Sequence, residues 1–186
     1  MASQQPQLIV LVSGKRMTGK DYFMTRLRDR LDNKRDIVFF RLSAPLEEEF
    51  AAQSNLDGRY EMVSFGEMKR KKDPGYFIRA AIKMFNAVDY PIWIVTDMRL
   101  KSDLDWFEEH YPNVLYTVRI ESTEKVRKSR GYIFTNGVDD HESECNLDDY
   151  TDWIVVIHNN GANLRKELDA LQVYIQSNIP YDTSIY

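Results

Sequence analysis

One segment near the start of the chain constrains the fold more than any other. Residues 8–12 form a continuous apolar run rich in β-branched side chains, which is typical of a strand buried on both faces of a parallel sheet. Gly14, four further residues, Gly19 and Lys20 then match the pattern G-x-x-x-x-G-K, and residues 21–31 have an amphipathic helical pattern. A strand, a glycine-containing loop and a helix in this order are the context in which the pattern binds phosphate groups. The sequence therefore predicts an α/β fold with a phosphate-binding loop after its first strand.

The spacing of this loop follows from the chemistry of phosphate binding. Glycine lets the backbone turn its N–H groups inward, and the helix that follows adds unpaired N–H groups and a positive dipole. Lys20 is then expected to reach the β- and γ-phosphates, while Lys15 and Arg16 add charge from within the loop. The residue after the lysine, usually Ser or Thr, is Asp21. Its carboxylate either meets a magnesium ion, directly or through water, or only caps the helix.

The rest of the chain alternates between strand and helix patterns. Further strands are predicted at residues 37–40, 92–96, 114–120 and 153–158, and helices at residues 102–111 and 163–176. Residues 46–86 have a helical pattern with interruptions at 55–58 and 73–75, and Ser102 is the expected N-cap of the helix after the third strand. Alternation of this kind implies βαβ units, so the prediction is a five-stranded parallel sheet flanked by helices on both sides.

The composition fits one soluble domain. A chain of 186 residues is long enough for one sizeable core, and its net charge of −4 disfavours a surface that coats nucleic acid. Cys145 is the only cysteine, which excludes an intrachain disulfide and fits a reducing compartment. No apolar run approaches the ~20 residues that a membrane span needs. We therefore expect a cytosolic monomer that acts on small molecules, with neither nucleic acid nor membrane as partner.

Charged residues at predicted loop positions supply candidate ligands for phosphate and metal. Asp97 follows the third strand, at the edge where open α/β sheets bind ligands; it either holds a magnesium-bound water or acts as a base, or merely forms a turn. Arginines recur in loops expected near the same edge, and Gly131 follows two that share a helical face, as in a hinged lid over nucleotide phosphates. These arginines are Arg70, Arg79, Arg99, Arg119, Arg127 and Arg130.

An acidic stretch at residues 137–145 follows the expected lid. A divalent-metal site is one interpretation, but the ligand spacing is undefined. The favoured prediction is a solvated helix start that pairs with the lid arginines Arg127 and Arg130. The three histidines, His110, His141 and His158, are scattered, so neither a zinc site nor a serine-type triad is expected.

Motifs along nearly the whole chain, taken in order, point to one family. They are the loop from Ser13 to Asp21, Arg41-Leu42-Ser43 with Pro45-Leu46, Asp73-Pro74-Gly75-Tyr76-Phe77 with Arg79, the segment 91–97, Ser102-Asp103 with Trp106-Phe107, Arg130-Gly131 with Phe134-Thr135, and the stretch 137–145. Together they resemble the animal-type phosphomevalonate kinases, which also have Asp after the loop lysine. The resemblance implies a P-loop, nucleoside-monophosphate-kinase-like fold in one domain, residues 1–186. A small lid and its adjoining acidic segment would span about residues 122–150, and a helical acceptor-binding region about 46–90.

The same resemblance implies an activity and a set of site residues. The activity is transfer of the γ-phosphoryl group of ATP, with Mg²⁺, to (R)-5-phosphomevalonate in the mevalonate route to isoprenoids. The implied ATP-binding residues are Gly14, Lys15, Arg16, Met17, Thr18, Gly19, Lys20, Asp21, Arg119, Arg127, Arg130 and Asn160, of which Lys15, Arg16, Lys20 and Asp21 are the expected catalytic residues. The implied acceptor contacts are Arg70, Arg79, Arg99, Asn159 and Arg165. Asp21 and Asp97 remain the candidate residues for holding Mg²⁺.

The chain departs from the family pattern at three places. Met17 stands where a lysine is expected, and Leu100 stands where vertebrate members have a second arginine, so acceptor binding depends more on Arg99. The approach to Asn159 and Asn160 is about two residues longer than in the family.

Two other functions stay open at this point. One is a nucleoside or nucleotide kinase of the same fold, and the other is a non-catalytic protein that senses nucleotide. Residues 65–85 are mostly basic and aliphatic, which favours a small anionic acid over a nucleobase as the acceptor.

Overall fold

The fold is built on one parallel sheet. The structure, a computed structural model, describes residues 5–31, 36–53, 58–161 and 164–179. The strands are β1 (Leu8–Ser13), β2 (Ile37–Phe40), β3 (Ile92–Met98), β4 (Leu115–Glu121) and β5 (Val155–His158). They are hydrogen-bonded in the order β2-β3-β1-β4-β5, and each neighbouring pair is parallel. The predicted five-stranded parallel sheet is therefore confirmed.

Helices cover both faces of this sheet. They are α1 (Lys20–Leu31), α2 (Ala44–Ala51), α3 (Arg59–Lys72), α4 (Tyr76–Met84), α5 (Lys101–His110), α6 (Glu124–Ser129), α7 (Glu142–Cys145) and α8 (Leu164–Ser177), with a short 3₁₀ turn at Ala87–Asp89. Between β3 and β4 lies α5, and between β4 and β5 lie α6 and α7. Strands and helices therefore alternate along the chain as the sequence predicts.

Successive side chains of β1 enter two separate cores. Leu8, Val10 and Val12 pack on one face with the apolar stripes of α1 and α8, whereas Ile9 and Leu11 pack on the other face with α4 and α5. All five side chains are 2% exposed or less, which explains why β1 is a continuous apolar run without polar alternation. This buried central strand fixes where the loop after it stands.

Element boundaries differ from the predictions in small ways that have local causes. The helix after β3 begins at Lys101, so Ser102 is not its N-cap. Instead, Leu100 stands at the cap position, and its backbone N–H donates to the carboxylate of Asp103 at 3.3 Å. The last strand begins at Val155 because Trp153 belongs to the preceding loop, where its indole N–H donates to the carbonyl of Tyr150 at 2.8 Å. The interruption predicted at 55–58 and the predicted helix start at 163 fall largely outside the described residues.

Parallel strands bring their carboxyl ends to one edge of the sheet. The loops that leave β1, β2, β3 and β4 therefore lie at the same edge, where open α/β folds bind ligands. In the described part of the chain, no helix has the length and apolar character needed to cross a membrane.

Candidate active site

The glycine-containing loop, residues 14–19, connects β1 to α1 at this edge. Gly19 has a φ of +83°, and a Cβ there would lie 2.3 Å from Nδ2 of Asn159. A Cβ on Gly14 would lie 2.7 Å from the carbonyl oxygen of Ile120. Both glycines of the pattern are thus required by close approach, and Gly19 also by its backbone conformation. Met17 adopts a φ of +60°, the left-handed region that a side chain disfavours.

The lysine of the pattern is held at the end of β3. The side chain of Lys20 is 8% exposed, and its Nζ donates to the carbonyl of Thr96 at 3.0 Å and to Oδ1 of Asp21 at 2.9 Å. Within the loop, the hydroxyl of Thr18 donates to the carbonyl of Lys15 at 2.8 Å. Because its stem is buried and its charge faces the carboxyl edge, Lys20 is a fixed cation where a phosphate would lie.

A cavity of about 630 Å³ opens beside Lys20 and Asp21. Among the predicted residues, Arg70, Arg99 and Asp97 line it. Its other lining residues include the basic side chains Arg41, Lys71 and His141, the apolar side chains Leu46, Met62 and Val63, and Glu142 and Ser143 of the stretch after α6. Cations therefore reach the cavity from α3 and from the loops after β2 and β3, while α2 and α3 supply an apolar wall.

One of the cavity cations, Arg41, was not singled out as a site residue by the sequence. Arg41 lies directly after β2, much as Asp97 lies near the end of β3. The guanidinium of Arg41 makes two hydrogen bonds to Glu47, at 2.8 and 2.6 Å. Hydrogen bonding to Glu47 raises the pKa of Arg41. Lys71 is adjacent to Arg70 in the basic last turn of α3. The sequence could have indicated Arg41, because it directly follows the predicted strand 37–40 and ligands bind at the carboxyl ends of such strands.

Arg79 and Arg165, both implied acceptor contacts, do not line this cavity. Arg79 lies on α4, where its half-exposed guanidinium pairs with Asp73. Arg165 lies on α8 and lines a separate hollow of about 380 Å³ together with Tyr22 and Arg26. The structure brings together Arg70 and Arg99 but leaves these two arginines elsewhere.

The arginines after β4 hold the backbone of the loop. Arg127 donates from Nε to the carbonyl of Arg16 at 2.9 Å, and Arg130 donates to the carbonyl of Thr18 at 2.9 Å. The side-chain amide of Asn159 donates to that same carbonyl at 2.9 Å. These three side chains therefore hold the loop through its backbone carbonyl groups.

Arg119 and Asn160 complete the surroundings of the loop. Arg119 on β4 is buried and donates to the hydroxyl of Ser13 at 3.0 Å. Asn160 accepts the backbone N–H of Thr123 at 2.9 Å, which ties the end of β5 to the start of α6. Arg119 thus lies beside the end of β1, and whether either residue contacts ATP stays a prediction.

The acidic stretch after α6 pairs with different cations from those predicted. Instead of Arg127 and Arg130, its carboxylates meet cations of the loop and of the neighbouring strands. Within residues 137–145 the pairs are Asp139 with Arg16 and Glu144 with Arg99; just beyond them, Asp148 pairs with both Lys15 and Arg119. The predicted pairing is therefore wrong, and the predicted solvation holds only in part: Glu142, where α7 begins, is exposed, whereas the side chains of Asp139 and Glu144 are only 3% and 2% exposed. The long side chains of Arg16 and Arg99 reach these carboxylates across the edge of the sheet.

The two predicted metal candidates differ in what their oxygens do. Both oxygens of the buried Asp97 accept backbone N–H groups, from Leu42 at 2.6 Å and Ser43 at 3.1 Å. The side chain of Asp21 is 96% exposed at the start of α1 and lines the cavity. Across the described ranges, no cluster of three or more His, Cys, Asp or Glu side chains could hold a metal ion.

A buried carboxyl group lies just behind the cavity. Burial raises the pKa of Asp103 to about 6, against the opposing effects of the Arg70 guanidinium and of the N–H donated by Leu100. Arg70 itself stacks over the ring of Phe77 at 4.9 Å, and its buried Nε has no hydrogen-bond partner among the described residues. The cation that faces the cavity is therefore packed firmly, with part of its hydrogen-bonding capacity unused.

Solved structures with the same architecture define the class. An unliganded sugar kinase from a Janibacter species aligns with a TM-score of 0.55 at 14% identity, covering 95% of this chain and 100% of its own. Shikimate kinase from Aquifex aeolicus aligns with a TM-score of 0.53 at 12% identity, covering 92% of this chain and 98% of its own. Together with the loop and its buried lysine, this likeness defines the fold as that of a P-loop kinase.

Sequence comparison narrows the class to one family. The sequence model of the phosphomevalonate kinase family matches residues 12–113. Phosphomevalonate kinase from Drosophila melanogaster is 38% identical over 185 residues, which cover 89% of this chain and 97% of the fly protein. The chain belongs to the phosphomevalonate kinase family and is a kinase, as the resemblance predicted.

Proposed function

We propose that this protein transfers the γ-phosphoryl group of ATP to (R)-5-phosphomevalonate, producing (R)-5-diphosphomevalonate and ADP in the mevalonate route to isoprenoids. The observation that carries the proposal is the cation-lined cavity that opens directly beside the loop lysine, Lys20. A kinase of this family needs its acceptor phosphate next to the transferred group, and this cavity adjoins the loop that would bind the donor.

The chemistry of the cavity suits the proposed acceptor. Phosphomevalonate carries a phosphate at one end, a carboxylate at the other and a short branched carbon chain between them. Arg70 and Arg99 supply cations from different elements, and Leu46 and Met62 supply apolar contact. Arg70 and Arg99 offer guanidinium groups that can grip a phosphate or carboxylate through two parallel hydrogen bonds. A nucleobase acceptor would instead need stacking aromatic side chains and amide groups that read its edge.

We assign the transfer itself to the loop. Lys20 would neutralise charge that develops on the transferred group, while Lys15 and Arg16 would exchange their carboxylate partners for nucleotide phosphates. Arg127, Arg130 and Asn159 would act by fixing the loop carbonyls, so that its N–H groups stay aimed at the donor. Arg119 and Asn160 would support the nucleotide side in the same way.

The donor set fits Mg²⁺ through Asp21. Mg²⁺ is usually held by one or two carboxylates together with substrate phosphates, and Asp21 offers an exposed carboxylate beside Lys20. The ion would supply charge neutralisation on the nucleotide phosphates. Asp97 has both oxygens engaged with backbone N–H groups, so we assign it a weaker share, through a bound water at most.

We further propose that the enzyme works as a cytosolic monomer with small-molecule partners and with neither nucleic acid nor membrane. The net charge of −4 supports the exclusion of nucleic acid, because a polyanion is bound by clustered positive charge. Light scattering across a concentration series tests the monomer.

Coupled ADP release tests the proposed reaction. Purified protein is given ATP, Mg²⁺ and either phosphomevalonate or one of a panel of nucleoside monophosphates. We expect turnover with phosphomevalonate alone, with Lys20→Met purified in parallel as the control for contaminating kinases. Turnover only with a nucleotide would make the protein a nucleotide kinase. ATP binding without turnover of any acceptor would make it a sensor.

A further inference from the structure

One buried carboxylate touches both halves of the site. Glu144, on α7, accepts the backbone N–H of Arg16 through Oε2 at 3.0 Å, and its Oε1 pairs with the guanidinium of Arg99. Arg16 belongs to the nucleotide loop, and Arg99 lines the acceptor cavity. A single side chain therefore connects the backbone on the donor side to the cation on the acceptor side.

The burial of this carboxylate shows that the connection is specific. The side chain of Glu144 is 2% exposed, and a charge buried that deeply is tolerated only when it is paired and hydrogen-bonded. Each of its two oxygens has a partner, one a backbone N–H and the other a guanidinium. Arg99 is 34% exposed, so it meets Glu144 with one part of its fork and keeps donors for the cavity.

We propose that Glu144 is a positioning residue that holds Arg99 oriented toward the acceptor and fixes that arginine relative to the nucleotide loop. The inference rests on the proposed function, because it takes Arg99 as an acceptor-binding residue. Phosphoryl transfer depends on the donor and acceptor being in line, so a fixed relation between the loop and Arg99 serves the reaction directly.

Because Leu100 stands where a second arginine is expected, the orientation of Arg99 by Glu144 matters more. Leu100 also lines the cavity but carries no charge, so no cation at that position can compensate if Arg99 is misoriented. An unrestrained arginine would sample several rotamers, and each would place its fork differently against a phosphate. A carboxylate behind the guanidinium restricts that choice.

The test is a double-mutant cycle on acceptor kinetics. Glu144→Gln keeps an oxygen for the N–H of Arg16 but turns an NH₂ group toward Arg99, so it breaks one of the two contacts. We expect kcat/KM for phosphomevalonate to fall on the order of tenfold to a hundredfold, with a smaller change in the KM for ATP. In an Arg99→Met background the same substitution should cost little more, because its effect passes through Arg99.

Two further variants serve as controls for the Glu144→Gln result. Asp149→Asn removes an exposed carboxylate shortly after α7 and should leave both KM values unchanged. Glu144→Asp keeps the charge on a shorter side chain and should give acceptor kinetics between those of wild type and Glu144→Gln. Circular dichroism and Tm are measured for each variant, and Glu144→Asp replaces Glu144→Gln in the cycle if the latter does not fold.

Each outcome bears on a different claim. Equal, additive losses in the two backgrounds, or a lower Tm with unchanged KM values, would make Glu144 a structural residue and overturn the inference. A lower acceptor KM in Glu144→Gln would mean that the carboxylate competes with substrate for Arg99, which also overturns it. Wild-type acceptor kinetics in Arg99→Met would remove the arginine from the acceptor site and the inference with it. Absence of phosphomevalonate turnover by the wild-type protein would instead defeat the proposed function.

Discussion

Asp97→Asn separates a structural role from a metal role at the end of β3. The buried carboxylate accepts the N–H of Leu42 at 2.6 Å and of Ser43 at 3.1 Å, and so anchors the loop that follows β2. An asparagine has almost the same shape, but only its oxygen can accept a hydrogen bond. Its NH₂ group would face the second N–H, leaving that donor without a partner.

The expected loss of stability follows from these two bonds. A hydrogen bond to a charged group contributes about 1.5–3 kcal/mol, and one such bond is lost. For a domain of this length, each kcal/mol lowers Tm by roughly 2–4 °C, so the variant should melt about 3–12 °C below wild type. The substitution should also lower the midpoint of urea unfolding without changing its slope.

Urea unfolding and a Mg²⁺ titration of turnover are measured on the same preparation. Asp89→Asn, an exposed position just before β3, is the control and should unfold like wild type. Wild-type unfolding of Asp97→Asn would refute the anchoring role. If the variant were as stable as wild type but needed much more Mg²⁺ for turnover, the metal role would be the correct one.

Three further predictions concern the loop and Arg99, the arginine that we propose binds the acceptor. Lys20→Met should lower kcat by ~10²–10³ with an unchanged circular dichroism spectrum, and near wild-type turnover would remove the lysine from the mechanism. Asp21→Ala should raise the Mg²⁺ concentration needed for half-maximal activity; a Tm drop equivalent to ~0.5–2 kcal/mol with normal kinetics would show that the carboxylate is only a cap. Arg99→Lys should raise the KM for phosphomevalonate far more than that for ATP, because lysine lacks the planar fork, and Leu100→Arg should restore part of the loss. A rise in the ATP constant alone would place Arg99 on the nucleotide side.

The sheet and its loop could be predicted because each depends on local sequence. A strand buried on both faces must be apolar throughout, and residues 8–12 meet that condition at sight. Gly14 and Gly19 are recognisable from the local spacing G-x-x-x-x-G-K after that strand, and the structure adds the distant contacts, Ile120 and Asn159, that leave no room for a side chain. Helix boundaries were less secure, because the cap of α5 uses the carboxylate of Asp103 rather than a serine hydroxyl.

The partners of the charged residues could not be predicted, because they lie far apart in sequence. The bond from the N–H of Arg16 to Glu144 spans 128 residues, and the pair of Arg16 with Asp139 spans 123. Nothing in the acidic stretch itself distinguishes those partners from Arg127 and Arg130. The direction in which each helix presents its arginine could not be predicted either. Arg70 on α3 and Arg79 on α4 look alike in sequence, but the structure places only Arg70 at the cavity.

The pH dependence of stability should carry the signature of Asp103. Its folded-state pKa of about 6 lies above the ordinary value of 3.8, so the folded state binds the proton more tightly and stability from this group increases as pH falls. Between pH 7 and pH 5 the gain is about 1 kcal/mol, and it is lost again as pH rises through the folded-state pKa. Asp103→Asn can still accept the N–H of Leu100 but does not titrate, so its urea-unfolding profile should lack this slope. Asp105→Asn, exposed on the same helix, is the control, and parallel profiles for wild type and Asp103→Asn would refute the assignment.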